Sequence, residues 1–252
     1  MREIPFLCTM KAFRFIWALW GFVVFIHSLI IVTILYAVIF ISKGKKADIT
    51  AHRLSRAWGW YLLFLFGIRL KVYGKENLNP ETAYIFISNH QSQLDIPVAS
   101  RTTANTFKFL AKEELTKIPL LGYIIKRLYI TVGRDNWRDR ALSMKKMQES
   151  LDKGVSVWIY PEGTRNKTDK PLGELFPGAF QLAAHTGRPI AVCTITGTGK
   201  LLPPGELFLM RPGLVKCYWE IPFTILGKST ADVNSAMEKV KGMMEGRLRE
   251  GY

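Results

Sequence analysis

From Lys71 onward, short apolar runs typical of β-strands alternate with stretches that have the spacing of amphipathic helices. Strands are predicted at 84–87, 107–110, 128–132, 155–160, 189–195 and 214–223, and helices at 119–127, 139–153, 178–186 and 230–248. Such alternation builds sheets whose strands are joined by right-handed crossovers. The predicted fold class is therefore α/β, with a largely parallel or mixed central sheet flanked by helices. A chain of 252 residues has room for one such domain and an appendage.

The residues before this alternation have a different character. Residues 16–41 form an almost unbroken apolar run with His27, Ser28 and Thr33 as its polar interruptions. The run exceeds the ~20 residues that a membrane-spanning helix needs. A second apolar segment at 58–68 is rich in aromatic residues and too short to span. We therefore predict a membrane-anchoring helical hairpin over residues 1–70 and the α/β domain over 71–252. Hydropathy leaves open whether the first helix crosses the bilayer or lies in its interface.

Basic residues give the expected orientation and partners. The basic residues between the two apolar segments outweigh the basic residues before the first segment. They are Lys43, Lys45, Lys46, Arg53 and Arg56. By the positive-inside rule, the α/β domain faces the cytoplasm from the cell inner membrane or cytoplasmic membrane. The net charge of +15 suits nucleic acid or an anionic membrane surface. Because the sequence carries no nucleic-acid-binding motif, membrane lipids are the predicted partner and nucleic acid is not.

Cysteine and histidine usage bears on redox compartment and metals. The three cysteines, Cys8, Cys193 and Cys217, are scattered and odd in number, which indicates a reducing compartment and no disulfide framework. The four histidines include no His-x-x-x-His pair, and no cysteine pair has zinc-ligand spacing. The sequence therefore predicts no metal site.

The predicted strand at 84–87 is followed by an Asn-His-x4-Asp sequence that contains His90 and Asp95. Open α/β sheets place their ligands at the carboxyl ends of the strands. A strand end that turns into a helix can fold the Asp95 carboxylate back onto the imidazole. Such a carboxylate fixes the tautomer and leaves the other ring nitrogen free as a base. By itself, a histidine near an aspartate is more often a surface or core pair than a catalytic one.

Two further strand ends favour the catalytic interpretation. The strand at 128–132 leads to Arg134, and the strand at 155–160 leads into Tyr-Pro-Glu-Gly-Thr-Arg, which ends at Arg165. With these three motifs in this order, residues 74–223 resemble the glycerolipid acyltransferases, specifically the 1-acylglycerol-3-phosphate acyltransferases. That family carries Asn-His-x4-Asp, then a strand ending in arginine, then Phe-Pro-Glu-Gly-Thr-Arg.

The resemblance implies an acyltransferase active in phospholipid biosynthesis. Its reaction would move a fatty acyl group from a thioester to the sn-2 hydroxyl of 1-acylglycerol-3-phosphate (lysophosphatidic acid), giving phosphatidic acid. Acyl-CoA or acyl carrier protein would be the donor substrate, and no cofactor is expected. His90 would be the general base and Asp95 its orienter, with direct attack and no acyl-enzyme. Ser92 lies between them, but a serine-nucleophile variant lacks a nucleophile elbow.

The acceptor phosphate requires cations. Arg134 and Arg165 each follow a strand, and a guanidinium can hold two phosphate oxygens at once. Lys112 also follows a strand and resembles the lysine that the family places near the phosphate. Each of the three could instead be a solvated surface charge.

Other motif residues have expected roles in the substrate site. Glu162 could be an ion-pair partner of Arg165 or could contact a glycerol hydroxyl of the acceptor. Gly163 and Thr164 allow close backbone approach and offer donors, and Asn89 belongs to the histidine motif. The oxyanion donor is open, with backbone amides after the Gly122 or Gly163 turns as candidates.

The sequence departs from the family pattern in several places. Leu128 stands in place of the leading glycine of the second motif, Gly133 in place of the aspartate before its arginine, and Tyr160 in place of phenylalanine. The 188–193 segment lacks the family's second proline. With these changes, another lysolipid, such as a lyso-ornithine lipid, and glycerol-3-phosphate stay open as acceptors. A catalytically silent lipid-binding membrane protein on the same scaffold is the alternative from a different class.

Overall fold

The fold is taken from a computed structural model that describes residues 3–42, 44–133, 137–206 and 209–250. The strands are β1 Ile68–Tyr73, β2 Ile85–Ser88, β3 Phe107–Lys112, β4 Ile130–Val132, β5 Ser156–Ile159, β6 Ile190–Thr196 and β7 Gly213–Trp219. The helices are α1 Glu3–Ile39, α2 Lys45–Leu65, α3 Asp95–Thr102, α4 Leu121–Leu128, α5 Trp137–Asp152, α6 Gly178–Thr186, α7 Thr198–Leu201 and α8 Thr230–Glu250.

The strands form one mixed sheet in the order β1-β7-β6-β2-β5-β3-β4. The five adjacent strands β6, β2, β5, β3 and β4 all run parallel to one another. Strand β7 runs antiparallel to β6 and parallel to β1. The predicted α/β class with a largely parallel or mixed sheet is confirmed. Because β2 to β5 run in one direction, the residues that follow them share one edge.

Strand β1 has no counterpart among the predicted strands. It begins at Ile68, inside the segment that the sequence analysis assigns to the N-terminal helices. Its residues alternate in exposure, with Ile68 buried and Arg69 exposed, as expected for a strand at the edge of a sheet. Gly67 has φ +66° and allows the sharp turn out of α2.

Two predicted strands are shorter than expected. The predicted strand at 128–132 begins only at Ile130, because helix α4 continues to Leu128. The predicted strand at 214–223 ends at Trp219. Pro222 has no backbone N–H to donate, so regular pairing cannot continue through it, and only an isolated bridge joins Phe223 to Ile190.

The sheet has a buried apolar face on each side. Ile85 and Ile87 of β2 point to the side covered by α5, α6 and α8, whereas Phe86 points to the side covered by α1, α2 and α3. Phe86 contacts Trp158 and Trp219 on that side, with ring centroids 5.3 and 5.1 Å apart. The sheet thus lies between two packed layers.

Helices α1 and α2 form the antiparallel pair expected from the sequence. The Trp17 indole donates to the Phe66 carbonyl at 3.1 Å at one end of the pair. The Tyr36 hydroxyl lies 2.8 Å from the Ser55 hydroxyl nearer the other end. The opposite side of α1 is apolar and exposed, for example at Phe22, Ile30, Ile34 and Val38. In the described part of the chain, residues 11–39 form the one helix long and apolar enough to cross a membrane.

Candidate active site

The parallel strands bring the predicted site residues to one edge of the sheet. His90 follows β2, Glu162 and Arg165 follow the neighbouring β5, and Lys112 ends β3, one strand farther out. Arg134 comes directly after Gly133 at the end of β4, but it lies outside the described residues. The convergence of polar residues from β2, β5 and β3 agrees with the sequence analysis.

The predicted contact between His90 and Asp95 is present. His90 Nδ1 lies 2.8 Å from Asp95 Oδ2. Asp95 is the first residue of α3, and the turn between β2 and this helix brings its side chain back over the strand end. The same oxygen also accepts from the backbone N–H groups of Gln91 and Ser92, both at 2.8 Å. The Asp95 side chain is 1% exposed and that of His90 17% exposed, so the ring reaches solvent while its partner does not.

Glu162 holds the backbone of the histidine loop, which is the segment 89–94 between β2 and α3. Its Oε1 accepts from the His90 N–H and its Oε2 from the Gly173 N–H, each at 2.7 Å. On the other side, the Asn166 N–H donates to the His90 carbonyl at 2.7 Å. Burial raises the pKa of Glu162, and the bonds from the two amides act against this shift.

Both oxygens of Glu162 are therefore engaged by backbone N–H groups, one by that of His90 and the other by that of Gly173. The ion pair between Glu162 and Arg165, which the sequence suggested as one possibility, is absent from the described structure.

Tyr160 fixes the plane of the imidazole. The two rings are stacked, with centroids 4.1 Å apart and an interplanar angle of 20°. The Tyr160 hydroxyl is buried and has no hydrogen-bond partner among the described residues. Burial raises its pKa well above the usual value, so the phenol is neutral at physiological pH. Tyr160 is thus a platform for the base, and it stands where the family pattern has phenylalanine.

Asn89 and Ser92 are occupied by contacts within the protein. The Asn89 side chain donates to the Ile195 carbonyl and accepts from the Ile195 N–H, both at 2.8 Å, which ties the end of β2 to β6. The Ser92 hydroxyl is buried and donates to the Leu202 carbonyl at 2.7 Å. A direct contact of Asn89 with a substrate stays a prediction.

Of the two predicted phosphate-binding cations that the structure describes, one has a partner within the protein and the other does not. Arg165 is partly buried and has no ion-pair or hydrogen-bond partner in the described part of the chain. Lys112 is half exposed and pairs with Glu114 at 2.7 Å. Hydrogen bonding to Lys112 lowers the pKa of the Glu114 carboxyl. The Arg165 guanidinium is therefore available to bind an anion, whereas Lys112 could bind one only after its ion pair with Glu114 is broken.

The turns at Gly163 and Gly122 are the two candidate positions for an oxyanion donor. Gly163 has φ +67°, and its N–H donates to the Tyr160 carbonyl at 3.0 Å. The N–H of Gly122 donates to the Ile118 carbonyl at 2.7 Å, and that of Tyr123 to the Leu120 carbonyl at 3.1 Å. The exposed Thr164 follows Gly163, and its N–H has no acceptor among the described residues.

A family model described as acyltransferase matches residues 69–196, which include the histidine motif and the loop after β5. The chain belongs to the acyltransferase family. The chloroplast 1-acyl-sn-glycerol-3-phosphate acyltransferase of Arabidopsis thaliana is 33% identical over 198 residues, which are 77% of this chain and 54% of that protein. An uncharacterized acyltransferase of Schizosaccharomyces pombe is 31% identical over 74% of this chain and 67% of its own length.

The chain spans about half the length of the plant relatives that it matches.

A solved structure matches the chain over nearly its whole length. The crystal structure of the 1-acyl-sn-glycerophosphate (LPA) acyltransferase PlsC from Thermotoga maritima superposes with a TM-score of 0.82 and 24% identity. The match covers 96% of this chain and 97% of the other, and it shows that the two share their fold.

Gly173 and Asn166 were not found by sequence reasoning. Both act through a backbone N–H, which any residue type except proline carries. Gly173 does have one requirement of its own, because an added Cβ would lie 2.7 Å from Glu162 Oε2. A glycine eleven residues after a motif glutamate is too weak a signal to have indicated this contact.

Proposed function

We propose that this acyltransferase moves a fatty acyl group from an acyl thioester to the sn-2 hydroxyl of 1-acylglycerol-3-phosphate, which gives phosphatidic acid. The observation that carries the proposal is a buried carboxylate on one nitrogen of a stacked imidazole, beside an arginine with no partner in the described chain. Relatives named for this reaction support the choice of substrates.

His90 is the general base of the proposed reaction. Its Nδ1 is held by Asp95, so Nε2 takes the proton as the acceptor oxygen bonds to the thioester carbonyl carbon. The carbon–sulfur bond then breaks, and the imidazolium returns its proton to the thiolate. The Asp95 carboxylate stabilises the imidazolium between these two transfers. Because Ser92 is buried and donates to the Leu202 carbonyl, the direct transfer without an acyl-enzyme is favoured.

The charges of the reaction have candidate partners on the loop after β5. The Arg165 guanidinium binds the acceptor phosphate, where its planar fork can engage two oxygens. The Thr164 N–H, which follows the turn at Gly163, is a candidate donor to the oxyanion or to the phosphate. Lys112 adds a second cation once it is released from Glu114.

Activity measurements on the purified protein test this proposal. Acyl-CoA and acyl carrier protein thioesters are each supplied with 1-acylglycerol-3-phosphate, glycerol-3-phosphate or a lyso-ornithine lipid, and thiol release and the acylated product are followed. We expect the fastest turnover with 1-acylglycerol-3-phosphate. Faster turnover with either of the other acceptors would reassign the substrate, and no thiol release with any pair would indicate a lipid-binding protein.

We further propose that α1 lies in the membrane interface, an arrangement that contacts at both ends of the helix support. The Arg14 guanidinium donates to the Leu209 carbonyl at 2.7 and 3.1 Å, and the Arg127 guanidinium lies 5.6 Å from the Phe40 ring centroid. These contacts are roughly 40 Å apart along the helix, which exceeds the ~30 Å hydrocarbon core. A crossing helix would draw the α/β domain into the bilayer. In the proposed arrangement, α1 lies in the interface with its exposed apolar side toward the acyl chains, and the basic residues that follow it favour the cytoplasmic leaflet.

Cysteine labelling distinguishes this arrangement from a crossing helix. Lys11→Cys and Ser42→Cys, each in a Cys8→Ser background, place a thiol near each end of α1. Because an interfacial helix does not cross, a membrane-impermeant maleimide should label both positions from the cytoplasmic side, in inside-out vesicles. Labelling of the two positions from opposite sides would show that α1 spans the membrane.

A further inference from the structure

A second cationic site lies beside the histidine loop, on the opposite flank from Arg165. A cleft of about 290 Å³ is formed where β6 ends and β7 begins. Its polar lining is Thr196, Lys200, Arg211 and Lys216, and no carboxylate lines it in the described structure. Three cations around one concave surface create a positive potential that attracts a multiply charged anion.

The cleft is joined directly to the loop that carries the base. Strand β6 is the neighbour of β2 in the sheet, and β7 is next to β6. Helix α7, between the two, lies against the histidine loop, since a Cβ added at Gly199 would be 3.3 Å from the Gln91 Cβ. With neighbouring strands ~4.8 Å apart, the cleft is roughly 10 Å from the base along the sheet edge.

The arginine of the cleft is held in place by backbone contacts. The Arg211 Nε donates to the Lys200 carbonyl at 3.1 Å, and the Arg211 N–H donates to the Leu201 carbonyl at 2.9 Å. These bonds fix the guanidinium stem and leave its terminal nitrogens for a ligand. A guanidinium anchored in this way is suited to two-point contact with a phosphate group.

Two of the residues that line the cleft lie on the side of the sheet away from the N-terminal helices. Val215 and Cys217 of β7 belong to the core layer that contacts α1 and α2. Lys216 lies between them in the strand and so points to the opposite side, as does Thr196 next to Ile195 in β6. The part of the cleft lined by Lys216 and Thr196 is therefore directed away from the layer that contains α1 and α2.

We propose that this cleft binds the phosphate of the phosphopantetheine arm through which the acyl donor carries its thioester. The inference rests on the proposed function, since it gives the donor of that reaction a site. The acceptor phosphate then approaches His90 from the β5 flank and the donor phosphate from the β6–β7 flank. The flexible arm between phosphate and sulfur spans the distance from the cleft to the base. Coenzyme A and acyl carrier protein share this arm, so the cleft serves either donor.

Binding measurements without turnover test the cleft independently of the reaction. Coenzyme A and phosphopantetheinylated acyl carrier protein are titrated into wild-type protein, Arg211→Gln, Lys216→Gln and the double variant. Lys146→Gln, an exposed lysine of α5, removes the same charge elsewhere and is the matched control. Pantetheine, which has no phosphate, is the ligand control.

Each cleft variant should weaken binding of at least one donor about tenfold or more, the double variant further, and Lys146→Gln less than twofold. Pantetheine should bind the double variant as it binds the wild type. Equal donor binding by wild type and double variant would overturn the proposal, as would binding of neither donor by the wild type. If acyl transfer to every acceptor is absent but the cleft variants still lose donor binding, the proposed reaction fails and the donor site stands.

A kinetic measurement adds a second readout. The Lys216→Gln variant should raise the KM for the acyl thioester about tenfold and leave the KM for 1-acylglycerol-3-phosphate within twofold of wild type. A rise in the acceptor KM instead would place the acceptor phosphate in this cleft and refute the assignment to the donor.

Discussion

The His90→Ala variant should lose acyl-transfer turnover by about 10²–10⁴-fold, the usual contribution of a positioned general base. The side chain makes a single hydrogen bond, to Asp95 at 2.8 Å. The backbone bonds from His90 to Glu162 and from Asn166 to His90 do not depend on the side chain. The loop should therefore keep its conformation, and membrane attachment through α1 should be unchanged. The measurement is initial-rate thiol release at saturating donor and acceptor.

The control for this variant is His185→Ala, an exposed histidine of α6. It should retain wild-type turnover. Asp95→Asn should fall between the two, because the neutral amide can still accept hydrogen bonds but no longer stabilises an imidazolium. Turnover of His90→Ala within tenfold of wild type, in protein that unfolds at the wild-type temperature, would contradict the assignment of the base.

The Arg165→Ala variant should raise the KM for 1-acylglycerol-3-phosphate by about 10- to 100-fold, the loss expected for a charge-assisted contact. Since Arg165 has no carboxylate partner in the described structure, its removal leaves no unpaired charge, and stability should change little. The KM for the acyl thioester should stay near the wild-type value. Arg165→Lys should give an intermediate acceptor KM, because it keeps the charge and loses the planar fork.

Lys167→Ala is the matched control, since Lys167 is an exposed cation on the same loop. It should leave the acceptor KM within twofold of wild type. A monoacylglycerol, which lacks the phosphate, gives a second comparison, because Arg165→Ala should then react no more slowly than wild type. An unchanged KM for 1-acylglycerol-3-phosphate in Arg165→Ala would remove the phosphate role.

The clamping of the His90 backbone by the Glu162 carboxylate could not be anticipated from local patterns. Glu162 is 72 residues from His90 in the chain, and its second partner, the Gly173 amide, is eleven residues beyond Glu162. The motif itself predicted that Glu162 matters, but it suggested an arginine or a substrate hydroxyl as the partner. Side-chain identity indicates what a carboxylate can accept, and only the fold selects which N–H groups reach it.

Strand β1 shows the same limit for the fold. Its alternating Ile-Arg-Leu-Lys-Val-Tyr sequence is a strand pattern. Because this sequence directly follows the apolar end of α2, the change from helical to strand periodicity was not recognised. That β1 pairs in parallel with β7, at the far end of the chain, follows from no local feature. Such pairings depend on which edges remain open after the other strands have assembled.

The sequence by itself determined the α/β class, the apolar N-terminal helices, and the residue types at the ends of β2, β3 and β5. It could do so because strand and helix periods, turn residues and motif spacing are local properties of the chain. Only the tertiary structure decided the strand order, the reversed direction of β7, the Glu162 clamp, the stacking of Tyr160 on His90 and the cationic cleft beside β6. These depend on contacts between segments far apart in the chain, and their geometry is set when the two faces of the sheet are packed.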